Sequence, residues 1–185
     1  ASGSGGAIAF LESITAQLSN CEFRNNTAVS PQYIADGGAI FITPYGNNVS
    51  IENCGFYGNL AEDDGGAIFS GADVNIVNSL FFGNSNTANP YCRGGAIAAV
   101  QAGVNLLNCT FSMNWSPLYS TVFGEDASIS LINSIIWDGE PMGNYRIFLS
   151  SDDAQSTLLV DHSNIEGGMA TVSGSGNYII DWAGG

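Results

Sequence analysis

The four residues Gly37-Gly38-Ala39-Ile40 decide how this chain folds. They return at Gly65-Gly66-Ala67-Ile68 and Gly94-Gly95-Ala96-Ile97, and they already stand at Gly5-Gly6-Ala7-Ile8. Starts at 5, 37, 65 and 94 give periods of 32, 28 and 29 residues. Self-similarity at a near-constant period outranks local propensity, because it makes the chain one supersecondary unit copied and stacked.

Downstream of each copy runs a second motif: an alternating strand, an Asn, a small residue, and then F-x-x-N. In the second repeat it reads Val49-Ser50-Ile51-Glu52-Asn53-Cys54-Gly55-Phe56-Tyr57-Gly58-Asn59. Aligned across repeats, Ala16, Val49, Val74, Val104, Ile129 and Leu158 form one apolar column, and Leu18, Ile51, Ile76, Leu106, Leu131 and Val160 another. Polar residues separate them, so a period of two turns one face inward and the other toward water. Asn20, Asn53, Asn78, Asn108 and Asn133 follow, with His162 in the sixth place, and this column is expected to be a ladder of amides at a strand bend.

Beyond the bend, Cys21, Cys54, Ser79, Cys109, Ser134 and Ser163 make a small interior column. Phe23, Phe56, Phe81 and Phe111 come next, continued by Ile136 and Ile165. Asn26, Asn59, Asn84 and Asn114 close the motif and give way to Gly139 and Gly168. Asn and Gly share a tolerance of left-handed backbone, which predicts a positive-φ corner in this last column.

Helical repeats would need a period of about 3.6 residues, and a propeller blade about 40 to 45 residues per unit. The observed unit suits one coil of parallel β-structure, each coil advancing ~4.8 Å. The expectation is an all-β solenoid of about six coils, starting near 5, 37, 65, 94, 120 and 145, in a single domain over residues 1–185. Insertions from Thr27 to Asp36 and from Ser85 to Arg93 read as loops on one side. In the Gly-rich tail, 168–185, Tyr178-Ile179-Ile180 reads as a last partial strand.

Three basic residues stand against 17 acidic ones, a net charge of −14, and the cations are Arg24, Arg93 and Arg146. A phosphate-tracking surface needs clustered Lys or Arg, so nucleic acid is excluded as a partner. No apolar run approaches the roughly 20 residues of a membrane-spanning helix, so membrane insertion is not expected. The four cysteines, Cys92 included, lack zinc-site spacing, and neighbouring Cys21 and Cys54 are expected to be free stacked thiols.

The pairing of G-G-A-I with F-x-x-N resembles the repeats of polymorphic outer-membrane-type surface proteins. Asn133-Ser134-Ile135-Ile136-Trp137-Asp138-Gly139 and Val160-Asp161-His162-Ser163-Asn164-Ile165-Glu166-Gly167-Gly168 resemble the last coils of secreted bacterial proteins of the right-handed parallel β-helix, pectate-lyase-like superfamily. The resemblance implies a right-handed parallel β-helix, export to the cell surface or beyond, and the passenger part of such a protein. It covers adhesins and polysaccharide-active enzymes alike.

Within that resemblance, a lyase would need a calcium-carboxylate cluster with a basic residue, and a hydrolase clustered aspartates. Asp36 and Asp64 precede the double glycine in neighbouring repeats, with Asp63 beside them and Arg93 in the equivalent place of the next. They form a candidate calcium corner, calcium being the one cofactor expected as possible, set against a solvated acidic corner neutralised by Arg93. No catalytic residue is assigned: His162 lacks an evident nucleophile partner. An outward column of Arg24, Tyr57, Phe82, Ser112, Trp137 and Glu166 carries aromatic residues at Tyr57, Phe82 and Trp137. A covering loop, a neighbouring subunit or a stacked glycan would bury it.

The expected function is a non-catalytic extracellular adhesive or structural solenoid. Its partners would be its own copies, stacked end to end, or a cell-surface protein or glycan. A calcium-dependent polysaccharide-active enzyme or glycan-binding module is the alternative.

Overall fold

The structure, a computed structural model, describes residues 3–30, 35–45, 48–87, 91–117, 120–139 and 145–183. Residues 31–34 and 88–90 of the two expected loops, and 184–185 of the tail, lie outside the described residues.

Strands of two to six residues stack into four sheets with parallel neighbours throughout. The first sheet has seven strands: Ile8–Phe10, Ile40–Ile42, Ile68–Ser70, Ile97–Val100, Val122–Glu125, Ile147–Ser150 and Val172–Gly174. The second, also of seven, runs from Thr15–Ser19 through Asn48–Glu52, Val74–Val77, Gly103–Leu107, Ser128–Ile132 and Ser156–Asp161 to Tyr178–Ala183. A third sheet of six strands carries the F-x-x-N motif, from Glu22–Arg24 to Asn164–Ile165. The chain is therefore an all-β parallel solenoid, and the six or seven strands of its three long sheets are close to the expected number of about six coils.

Register follows the sequence columns. Ala16 pairs with Val49, Val49 with Val74, Val74 with Val104, Val104 with Ile129, and Ile129 with Leu158. The tail does supply a last strand, Tyr178–Ala183, whose Ile180 pairs with Leu158. A shift of one residue would turn every apolar side chain outward, so burial of one face holds the register. One continuous core results, with Val49, Ile51, Ile76, Phe56, Phe81 and Phe111 fully buried. Each such side chain contributes about 1.5–3 kcal/mol relative to exposure. Phe23, Phe56, Phe81 and Phe111 stack nearly parallel, their ring centroids 4.8, 4.7 and 4.7 Å apart.

The double glycine has two separate causes. Gly37 and Gly65 have φ of 65° and 68°, where a Cβ is strained. At Gly38 a Cβ would sit 2.1 Å from the carbonyl oxygen of Gly66 in the next coil, and at Gly66 it would sit 2.0 Å from that of Gly95. The first glycine therefore turns the chain, and the second lets adjacent coils touch.

Two asparagine columns exchange the roles expected of them. Asn20, Asn53, Asn78, Asn108 and Asn133 are exposed and have φ of 48° to 55°, with His162 at 47°. They hold the left-handed corner, and within that column Asn108 Nδ2 donates to Asn78 Oδ1 at 2.9 Å. The continuous amide ladder is instead the Asn26, Asn59, Asn84 and Asn114 column. Each of the first three donates from Nδ2 to the next Oδ1, at 2.9, 2.8 and 2.9 Å. The ladder ends on Asp138, whose Oδ1 accepts both the side-chain and main-chain N–H of Asn114. In the F-x-x-N motif the positive φ falls one residue earlier, at Asn25, Gly58, Gly83 and Met113, whereas Gly139 and Gly168, which continue the column, hold the expected positive φ of 79° and 60°. Inside the coil, an amide is favoured because it donates and accepts along one axis.

The small column is a second ladder. Cys54 N–H donates to Ser79 Oγ, Cys109 N–H to Ser134 Oγ, and Ser134 N–H to Ser163 Oγ, at 3.2, 2.9 and 3.0 Å. All four cysteines are free thiols, and burial pushes Cys109 up to about 11. Just past the F-x-x-N corner, Thr27–Ala28, Leu60–Ala61 and Ser85–Asn86 pair as a fourth sheet of three strands. The segments read as loops thus begin with short strands, too brief to leave a periodic signal in sequence.

Candidate functional site

Two surfaces gather the polar and aromatic residues singled out above. The first is the acidic corner ahead of the double glycine. Asp36 N–H donates to Ser4 Oγ (3.1 Å), Asp64 N–H to Asp36 Oδ1 (3.0 Å), and Arg93 N–H to Asp64 Oδ1 (2.8 Å). The side chains of Ser4, Asp36 and Asp64 thus each accept the main-chain N–H of the counterpart in the neighbouring coil.

Arg93 closes the series. Its Nε and one terminal nitrogen face Asp64 Oδ2 at 2.9 and 2.7 Å, and the other terminal nitrogen faces Glu125 Oε2 at 2.5 Å. The guanidinium also lies 4.5 Å above the ring of Phe123. Burial works against its charge, but hydrogen bonds to the two carboxylates outweigh that and raise its pKa. Burial pushes the Asp36 carboxyl up to about 7, against the opposing hydrogen bond from Asp64.

The corner proposed for calcium brings Asp36 and Asp64 together, yet both carboxylates face protein donors, and Asp64 is forked by Arg93. Among the described residues no group of three or more His, Cys, Asp or Glu side chains is arranged to hold a metal ion. Glu125 was missed from the sequence as the second partner of Arg93. It lies two residues beyond Phe123 on the first sheet, and nothing in the repeat spacing marks it.

The remaining arginines are paired as well. Arg146, buried, reaches Glu166 Oε2 at 2.5 Å and the carbonyl of Gly139 at 2.7 Å. Arg24 Nε meets Glu22 Oε2 at 2.7 Å on the open surface. His162 Nδ1 lies 2.7 Å from Asp161 Oδ1.

The second surface is the outward face of the third sheet. Arg24 pairs with Tyr57 and Tyr57 with Phe82, so these three stand side by side in successive coils. Trp137 belongs to the same face but lies beyond Ser112, away from Tyr57. Phe82, Ile135 and Trp137 are 42%, 44% and 54% exposed, so no described loop covers the column. The Arg24 guanidinium sits 4.0 Å over the Tyr57 ring. That ring folds back across Gly55, where a Cβ would meet the phenol oxygen at 2.6 Å.

Two shallow cavities flank Tyr57. One of about 380 Å³ is lined by Asn20, Glu22, Asn53, Asn78 and Leu80, and the other, about 590 Å³, by Arg24, Asn25, Gly58, Phe82 and Gly83. Tyr57 and Leu80 line both, so the two hollows adjoin along these side chains, from the asparagine corner to the glycine corner, and together form the trough discussed below.

The stretch from the asparagine corner through F-x-x-N to the double glycine is similar to a known repeat. Residues 20–43 match the Chlamydia polymorphic membrane protein repeat. That polymorphic membrane protein repeat takes in Asn20, Phe23, Asn26 and Gly37 to Ile40, residues whose stacking builds the coils described above. Its counterparts in the following coils pair with it in register. No curated protein and no solved structure matches the chain. Among the described residues no helix is long and apolar enough to cross a membrane.

Proposed function

We propose that this chain is a non-catalytic module of a cell-surface protein, a β-solenoid that displays an adhesive face. The repeat at residues 20–43 supports this reading, since the family it defines is one of membrane proteins. The observation that carries it is where the polar groups go. Asp36, Asp64, Arg93, Asn59, Asn84, Asn114 and Asp138 bond from coil to coil, and they converge on no shared reacting point. Catalysis by this fold would need acid and base groups within reach of one substrate atom.

The test is a screen of acidic and neutral polysaccharides for released unsaturated or reducing ends, alongside binding of the purified chain to cell surfaces. Binding without release is the expected result. Release abolished by Asp64→Ala would overturn the reading in favour of a polysaccharide-active enzyme.

Coil-on-coil stacking is a second proposal for partners. Phe10, Ala16, Leu18 and Cys21 are only partly buried, whereas their counterparts Ile42, Val49, Ile51 and Cys54 are buried. A further coil laid on this end, from the same protein or another molecule, would cover them and pair the exposed strand edges. Electron microscopy across a concentration series tests assembly between molecules; particles of one length at every concentration would rule it out.

A further inference from the structure

Gly83 lines the trough beside Phe82 at a left-handed corner that favours glycine. Gly83 has φ of 66°, and a Cβ there would find nothing within 4 Å, so it would project into open space. The same column holds Asn25 at φ 52° and Met113 at φ 57°. A side chain is therefore compatible with this corner, and Asn tolerates the left-handed region best. Glycine at 83 leaves this edge of the trough without a side chain.

The walls combine two chemistries. Exposed Phe82, Leu80 and the part of the Tyr57 ring that Arg24 leaves open offer apolar surface across neighbouring coils. At one end stand the exposed amides of Asn20, Asn53 and Asn78 with the Glu22 carboxylate, and at the other end the Asn25 amide. Amides both donate and accept, whereas a carboxylate only accepts.

We propose that this trough binds a neutral oligosaccharide. The proposal rests on the non-catalytic surface-module reading and names its partner class. A sugar ring presents C–H groups on one face and hydroxyls around its edge. The aromatic and aliphatic side chains match the first, and the flanking amides match the second.

Other occupants fit less well. An anionic chain would meet a protein of net charge −14 whose local cation, Arg24, is already held by Glu22 at 2.7 Å and laid on Tyr57. A stable protein partner buries about 800 Å² on each side around an apolar centre. Three apolar side chains between rows of amides make too small a centre for that.

The experiment is two-dimensional NMR of the isotope-labelled chain, titrated with cellohexaose, maltohexaose and chitohexaose, with hexagalacturonate and decaproline as the anionic and peptide probes. Shifts at Asn25, Gly58 and Gly83 with a neutral sugar, weakened about tenfold or more by Tyr57→Ala and by Gly83→Asn and unchanged by Trp137→Ala, are the expected result. Gly83→Asn adds a side chain at the edge of the trough while keeping a residue type that the corner already accepts. Absence of shifts with every neutral sugar, stronger binding of hexagalacturonate or decaproline, or loss of binding in Trp137→Ala overturns the proposal. The sugars are also recovered and sized. Cleavage with shifts confined to the trough supports the site and overturns the non-catalytic reading; intact sugar without shifts overturns the site and leaves that reading standing.

Discussion

Asn59 gives two hydrogen bonds to a single oxygen of Asn84. Its main-chain N–H reaches Asn84 Oδ1 at 3.0 Å and its side-chain Nδ2 reaches the same atom at 2.8 Å. Asn84 in turn donates to the carbonyl of Phe56 and to Asn114 Oδ1. Truncating Asn84 to Ala strips the acceptor from two buried donors, and each unsatisfied buried donor costs about 1–3 kcal/mol. Denaturant unfolding should show Asn84→Ala destabilised by about 2–5 kcal/mol. Asn78→Ala, at an exposed corner, should lose much less.

Neighbouring phenylalanines separate core from surface. Phe81 is buried between Phe56 and Phe111 at 4.7 Å from each, whereas Phe82 is exposed. Phe81→Ala leaves a cavity in a column with little freedom to collapse, and a loss of about 3–5 kcal/mol is expected. Phe82→Ala should stay within about 0.5 kcal/mol of the parent. Thermal and denaturant melts of the two variants check both.

The Asp36 carboxyl gives stability a pH dependence of definite sign. Burial raises its folded-state pKa to about 7 from an ordinary value near 3.8. Between these values the folded chain holds a proton that the unfolded chain has released. The contribution is therefore full below about pH 4 and is lost as pH rises through 7. At ~1.4 kcal/mol per pKa unit the ceiling is about 4 kcal/mol. Asp36→Asn keeps an oxygen to accept the Asp64 N–H and removes the titration. Melting temperature should fall from pH 4.5 to 7.5 in the parent and fall less steeply in Asp36→Asn.

Two glycines of neighbouring coils should respond differently to a side chain. At Gly38 a Cβ meets the Gly66 oxygen at 2.1 Å and main-chain atoms of Leu60 at 2.6 and 2.7 Å, contacts that only a shift of a whole coil relieves. Gly38→Ala should cost at least about 2–3 kcal/mol. Gly83→Asn should remain within about 1 kcal/mol, because its side chain enters open space. Circular dichroism melts distinguish the two.

Much of this architecture was legible because stacking makes sequence columns into spatial columns. Val49, Val74 and Val104, or Phe56, Phe81 and Phe111, align in sequence and pair in register for one reason: burial of a single face penalises any slip. The asparagines were less transparent, since left-handed corners and amide ladders both favour Asn. Which column did which depended on burial: Asn59 and Asn84 are inside and bond along the axis, whereas Asn53 and Asn78 stand outside at positive φ. Glu125 and the trough around Tyr57 were less legible: the outward column aligned Arg24, Tyr57 and Phe82, but the repeat does not say which way a side chain folds or which partner it reaches.

By itself, then, the sequence determined the coil, its period, its apolar columns and the acidic balance, because each is written in a recurring residue type. Tertiary structure decided which carboxylates Arg93 neutralises, which asparagines are buried, and how Arg24, Tyr57, Phe82 and Gly83 meet around one trough. Those outcomes depend on where a side chain points once coils are ~4.8 Å apart, a relation between neighbours in space that no single repeat contains.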